Sequence, residues 1–140
     1  MAKPPGRTYR YYTGAPLFAF GSGLSLTTFS LRCEASRITA APASGHIDCT
    51  VTNTGARDGD EVVLLYHSAG ADVKAKAKHP TPRRALVDFA RVSVSAGGKA
   101  SVRFEVGEAT FKLVDEFGEK RIYTGEHLLT ARCVEIAVYL

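Results

Sequence analysis

A period of two, repeated in short bursts, limits what this chain can fold into. Ile47, Cys49 and Val51 alternate with Asp48, Thr50 and Thr52, and Val102, Phe104 and Val106 alternate with Ser101, Arg103 and Glu105. Successive side chains of a strand point to opposite faces, so each burst reads as a strand with one apolar face. Leu24, Leu26 and Thr28 alternate with Ser25, Thr27 and Phe29, and Leu31 and Cys33 extend the Phe29 row. Val62–Tyr66 is a nearly unbroken apolar run, as expected of a strand covered on both sides. Ala85, Val87 and Phe89 share one phase, while Val92 and Val94 take the other, which predicts a β-bulge between them. Leu128 to Val138 closes the chain, with a second phase change at Cys133-Val134. Asn53-Thr54-Gly55, Ala96-Gly97-Gly98 and Asp115–Glu119 supply the turns. About seven short strands without a long 3.6-residue period predict an antiparallel β-sandwich.

Residues 1–23 differ. Pro5, Gly6, Gly14, Pro16, Gly21 and Gly23 interrupt any regular element, and Tyr9, Tyr11, Tyr12, Phe18 and Phe20 fall between them. This stretch reads as an extended N-terminal arm that packs through its aromatics, with the sandwich occupying 24–140. The chain's 140 residues fit one core-forming domain. With 45% hydrophobic residues it has enough apolar surface to fold, and no run is long enough for a spanning helix. The formal charge of +4 is mild, and fits solubility better than a nucleic-acid or membrane partner. No apolar leader follows Met1, so no signal peptide is expected in this chain.

Catalytic chemistry finds little support. There is no phosphate loop, no dinucleotide fingerprint and no nucleophile elbow. His46, His67, His79 and His127 lack metal-ligand spacing, so each is expected at a surface or strand end, and no metal or cofactor is expected. Asp58, Asp60 and Glu61, and likewise Asp115, Glu116 and Glu119, sit in turn-like sequence, where carboxylates usually hold local backbone. Cys33, Cys49 and Cys133 form no Cys-X-X-Cys pair. Three buried thiols are the ordinary expectation, with one bridge and a leftover thiol as the alternative. Lys74, Lys76, Lys78, Arg83 and Arg84 lie in what reads as an extended Pro-containing loop. They are either a contact for phosphate or acidic sugar, or a solvated guard on a strand edge.

Several landmarks occur together: Pro5-Gly-Arg-Thr-Tyr-Arg-Tyr-Tyr12, Pro16–Phe29, Val51-Thr-Asn-Thr-Gly55, Asp58–Tyr66, Pro82–Val92, Val114-Asp-Glu-Phe-Gly118 and Gly125-Glu126. In this order and spacing they resemble the C-terminal fibronectin type III-like domain of glycoside hydrolase family 3. The plant and fungal β-xylosidase branch is the most similar. The resemblance runs from Pro5 to about Thr130. Where the family has Phe-Gly-Tyr-Gly-Leu-Ser-Tyr-Thr, this chain has Phe20-Gly-Ser22-Gly-Leu-Ser-Leu26-Thr, losing two tyrosines. The resemblance implies an immunoglobulin-like, fibronectin type III-like sandwich. It also implies a secreted or cell-wall parent enzyme whose barrel domain carries the nucleophilic Asp and whose α/β domain carries the acid. Neither domain is accommodated here, so the chain is expected to be no enzyme by itself. It is read as a non-catalytic, stabilising accessory domain, with the parent's catalytic domains as partners. A polysaccharide-binding module and a free-standing immunoglobulin-like interaction domain are the alternatives. Candidate interdomain or sugar contacts are Arg7, Tyr9, Arg10, Tyr11, Tyr12, Phe18 and Phe20.

Overall fold

The computed structural model describes residues 5–36, 38–40, 42–132 and 134–140. One sheet contains β1 (Phe29–Ala35), β2 (Thr39–Ala40), β3 (Ala43–Asn53) and β6 (Lys99–Gly107), with β3 paired to β1, β2 and β6. The second has the order β10-β9-β4-β5, from β4 (Gly59–Ala69), β5 (Ala85–Val94), β9 (Glu126–Ala131) and β10 (Val134–Tyr139). β7 (Leu113–Val114) and β8 (Lys120–Arg121) form a small hairpin, and all pairings are antiparallel. The seven strands of six residues or more make the expected sandwich; the three others are two-residue pairings.

The apolar rows meet between the sheets. Ile47, Cys49, Val51, Val102, Phe104 and Val106 from one face Val63, Leu65, Val94, Leu129 and Val138 from the other. Full burial of one such side chain contributes about 1.5–3 kcal/mol. At the edge of this core, Asn53 is 1% exposed with its amide fully engaged. Its Oδ1 accepts from Thr27 Oγ1 (2.8 Å) and Gly55 N (3.0 Å), and its Nδ2 donates to the carbonyls of Arg57 (2.7 Å) and Val94 (3.0 Å).

Several local expectations are corrected. The first strand begins at Phe29 rather than Leu24, because Phe29 already pairs with Asn53, the last residue of β3, and the backbone pairing then dwindles to Thr54 N donating to Thr28 O at 2.8 Å. The bulge sits earlier than the phase slip suggested: Leu65 opposes Asp88 while Tyr66 opposes Leu86, so Val87 is the extra residue. Phe89 then faces outward beside Leu64, and Ala90, Val92 and Val94 turn inward. The final stretch is two strands, since Ala131 pairs with Val134 in a hairpin, with Arg132 at φ 54°.

The basic loop is partly helical. Ala71–Ala77 forms α2, which buries Val73 and Ala77 one turn apart and ends at Lys78 in the left-handed region. Its alternating Ala and Lys are good helix formers, but seven residues are too few to register as a helical period. Cys33 and Cys49 are directly opposite on β1 and β3 and joined by a disulfide, with Cα atoms 4.1 Å apart, so these two are not free thiols. Cys133 lies outside the described residues.

His67 and His127 are not at the surface. They are 2% and 0% exposed, on β4 and β9, with His67 Nε2 2.9 Å from His127 Nδ1. His127 Nε2 donates to the Tyr123 carbonyl at 2.8 Å, which leaves its Nδ1 to accept from His67. Both rings lie edge-on to Phe111 of α3 (Glu108–Phe111). Burial first, and the neighbouring His127 second, pull the His67 pKa down to about 4.

Candidate functional site

The arm folds back over the outer face of β4. Among its described residues the one regular element is a helical turn, α1 (Thr8–Tyr11), closed by Tyr12 N donating to Thr8 O at 2.9 Å. Thr13 N donates to Pro5 O at 2.7 Å, so residues 5–13 form a closed unit. The Tyr9 and Phe20 rings stack at 4.0 Å, and both present an edge to Tyr66, at 6.2 and 6.4 Å. Offset and edge-on contacts of this kind each add about 0.5–1.5 kcal/mol beyond area burial. The Arg84 guanidinium covers the Tyr66 ring at 4.6 Å, a cation–π contact. Burial raises the Tyr66 phenol pKa, with the Arg84 charge opposing the shift.

Polar contacts fix the register of the arm. The Leu86 amide, freed at the β5 bulge, donates to Tyr9 Oη at 3.0 Å. Arg83 N donates to Arg10 O at 2.7 Å, and its Nη1 donates to Tyr12 O at 2.6 Å. Gly21 has φ +83°, and a Cβ there would collide with Leu64 Cδ1 on β4. These contacts explain the apolar run at Val62–Tyr66: Val63 and Leu65 face the core, while Leu64 and Tyr66 are covered by the arm.

The two candidate groups meet in part. Tyr9, Tyr12, Phe18, Phe20, Arg83 and Arg84 line one open groove of about 810 Å³ between arm and body. Arg7 and Tyr11 face a different cleft, on the other side of α1, and the Arg10 guanidinium lies 5.9 Å from the Tyr11 ring centroid. The lysines do not join the groove. Lys74 and Lys76 lie on α2, where Lys76 Nζ donates to Thr124 O at 2.6 Å, and Lys78 caps the helix. The five cations are therefore dispersed, with Lys76, Arg83 and Arg84 engaged internally. Tyr66 and the Leu86 amide were missed as partners of the arm. The signal for Tyr66 was the apolar run demanding cover on both faces.

Four of the six candidate carboxylates hold structure. Asp58 accepts from Ala96 N, Asp60 pairs with Arg91 and Ser93, and Glu61 pairs with Arg132. Asp115 Oδ1 accepts from the amides of Phe117 and Glu119, and its Oδ2 pairs with Arg121 at 2.9 Å. Among the described residues, no cluster of three or more His, Cys, Asp or Glu could hold a metal ion, and no helix is long and apolar enough to cross a membrane.

The outer side of the arm and the first residues of the body leave large apolar side chains bare. Leu17, Phe18, Leu24 and Leu26 are each 87% exposed or more. Four large apolar side chains within ten residues are unusual on a solvent-facing surface.

The sequence profile of the fibronectin type III-like domain matches residues 61–131, just over half of the chain and most of the sheet beneath the arm. The chain belongs to the fibronectin type III-like domain family. This fibronectin type III-like domain is similar to parts of much longer proteins. A probable exo-1,4-beta-xylosidase of Aspergillus japonicus is 32% identical over 88% of the chain but only 18% of its own length. A probable beta-glucosidase J of Neosartorya fischeri is 38% identical over 89% of the chain and 16% of its own length. The crystal structure of a Bifidobacterium adolescentis GH3 beta-glucosidase superposes with a TM-score of 0.74 at 29% identity, covering 86% of this chain and 18% of that one. The domain thus spans about a fifth of its relatives, which are family 3 glycoside hydrolases, and corresponds to their fibronectin type III-like part.

Proposed function

We propose that this domain is a non-catalytic, stabilising module that docks onto the catalytic domains of a family 3 glycoside hydrolase, of the kind represented by its β-xylosidase and β-glucosidase relatives. Residues 1–23 act as the connector and 24–140 as the body. The observation that carries this reading is the exposure of Leu17 and Phe18 on the firmly seated arm and of Leu24 and Leu26 where the body begins. Each of these side chains, if buried against a partner, contributes about 1.5–3 kcal/mol. Apolar anchors at the centre of a patch dominate interface energetics. The low coverage of the relatives supplies the partner: most of their length lies outside this domain. The Cys33–Cys49 disulfide supports a secreted or cell-wall setting, since disulfides persist in oxidising compartments.

The test is to add the parent's barrel and α/β domains, expressed together, to the isotope-labelled domain. Amide signals of residues 14–28 should shift and saturate, and a Leu17→Asp, Phe18→Asp variant should abolish the effect while keeping its own dispersed spectrum. Unmoved arm signals, or shifts unaltered by the double variant, would refute docking through the arm.

A further inference from the structure

The outer face of the first sheet carries a hollow of about 510 Å³, on the side of the sandwich away from the arm. Strand alternation builds it. Leu31, Val51 and Ala100 form one cross-strand row of β1, β3 and β6 that packs on the core, so the rows on either side of it point outward. One outward row is Ser30, Thr52 and Lys99, and the other is Arg32, Thr50 and Ser101. The middle strand therefore presents two short threonines, while the two long side chains, Arg32 and Lys99, stand at opposite corners. Short side chains flanked by long ones leave a trough, with Thr50 and Thr52 as its floor and Arg32 and Lys99 as its walls.

The donors of this trough are unspent. Among the described residues, Arg32 and Lys99 form no ion pair, and neither their side chains nor the hydroxyls of Ser30, Thr50 and Thr52 make a hydrogen bond. The next outward row is Glu34, Asp48 and Arg103. There Arg103 Nε donates to Asp48 Oδ1 at 2.7 Å, and His46 Nε2 lies 3.3 Å from Asp48 Oδ2. Asp48 is thus occupied by its own partners, and among the described residues no carboxylate lines the trough.

The trough is also preformed. The Cys33–Cys49 disulfide ties β1 to β3 at the pair next to Arg32 and Thr50, so the floor and one wall cannot slip past each other. The β3–β6 ladder runs without a register shift from Thr52–Lys99 to Ser44–Gly107, which fixes the other wall.

The lining selects the ligand class. Arginine and lysine side chains only donate, each with a full positive charge, and a threonine hydroxyl donates as well. The ligand is therefore an anion rich in acceptors. Its donors approach from below and from two opposing sides. A carboxylate holds its acceptors in one plane, whereas a tetrahedral oxyanion turns an oxygen toward each of the three. Hydrogen bonds from cations to such oxygens are of the stronger, charge-assisted kind.

We propose that this trough binds a tetrahedral oxyanion of the phosphate or sulfate class, seated on the Thr50 and Thr52 hydroxyls between the Arg32 guanidinium and the Lys99 ammonium. The assignment is independent of docking through the arm, which covers the other sheet.

The test titrates the isotope-labelled 140-residue chain with sodium phosphate and, separately, sodium sulfate at neutral pH, with chloride adjusted to hold ionic strength constant. Saturable millimolar shifts confined to residues 30–32, 50–52 and 99–101 are expected with at least one anion, and the tighter of the two names the ligand. Arg32→Gln and Lys99→Gln should each weaken binding about threefold. Thr52→Val should weaken it about twofold with the charge unchanged. Lys74→Gln removes an equal charge from the α2 surface and should leave the affinity as it was, and sodium acetate should give no saturable shift at these residues. Absence of saturable shifts with both anions overturns the proposal. So do shifts centred on residues 74–84, binding of acetate as tight as that of phosphate and sulfate, or losses in Arg32→Gln and Lys99→Gln no larger than in Lys74→Gln.

Discussion

Acid should destabilise this domain well before its carboxylates protonate, through His67. The ring is 2% exposed and donates from Nε2 to His127 Nδ1, with Phe111 across its edge, so a second proton has little water or counter-charge to stabilise it. Its pKa falls from 6.5 in the unfolded chain to about 4 in the fold. Between these values the unfolded state holds one more proton than the folded state, so stability falls as pH falls. The contribution is fully present above about pH 6.5, declines at up to about 1.4 kcal/mol per pH unit, and is lost by about pH 4. The total is about 3 kcal/mol, a large part of an ordinary domain's stability. Asp48, Asp60, Asp72 and Asp115 have pKa values held below 3.8, so their contributions fade lower, as pH falls through the carboxylate range. Urea unfolding followed from about pH 7.5 to about pH 4.5 measures the slope. His67→Gln retains an Nε donor for His127 but no titrating ring, and its curve should be flatter by that amount. The imidazole nitrogen shifts of His67 provide the structural check, with that ring neutral and protonated on Nε2 at about pH 5.5. Equal slopes for wild type and His67→Gln, or a charged His67 at that pH, would refute the reasoning.

Reduction of the Cys33–Cys49 bridge, which closes a 16-residue separation, should cost about 3 kcal/mol and lower Tm by roughly 10 °C in calorimetry; an unchanged Tm with reductant present would contradict the linkage. Asn53→Ala removes four buried hydrogen bonds and strands the Val94 carbonyl, so urea unfolding should show a loss of about 3 kcal/mol, and a loss under about 1 kcal/mol would mean that water replaces the amide. Gly21→Val places a branched side chain at φ +83° against Leu64 and Tyr66, so the arm should lift and proteolysis within residues 13–24 should accelerate several-fold while the sandwich stays folded. An unaltered cleavage rate would show that Gly21 does not set the seating of the arm.

The sandwich was legible because alternation is a local property: the inward rows of β3 and β6 can be read from five residues each. What failed to show depends on partners distant in sequence. Leu24 and Leu26 continue the alternation, yet β3 ends opposite Phe29, so no strand forms there. The β5 bulge was visible as a phase slip, but its place at Val87 is set by pairing with Leu65 and Tyr66. His67 and His127 are 60 residues apart in sequence, and only the β4–β9 pairing brings them into contact. The arm's aromatics stand out in the sequence because they fall between prolines and glycines. Their seat on Tyr66 was implied only by the need to cover both faces of β4. The basic segment misled because its prolines lie after α2, while the Ala-Lys alternation before them is helical.

The seating of the arm also determines how the domain answers a pull. Strands paired across a sheet and loaded along their length share force over many hydrogen bonds at once. The arm is held differently, by a short series of discrete fasteners: Tyr9 on the Leu86 amide, Arg83 on the backbone of residues 10 and 12, then Phe20 stacked on Tyr9 against Tyr66. Tension drawn through residue 5 reaches these one after another, so the arm peels before the body shears. Strain arriving from a moving neighbour is absorbed by reversible detachment of the arm, and the two sheets keep their register.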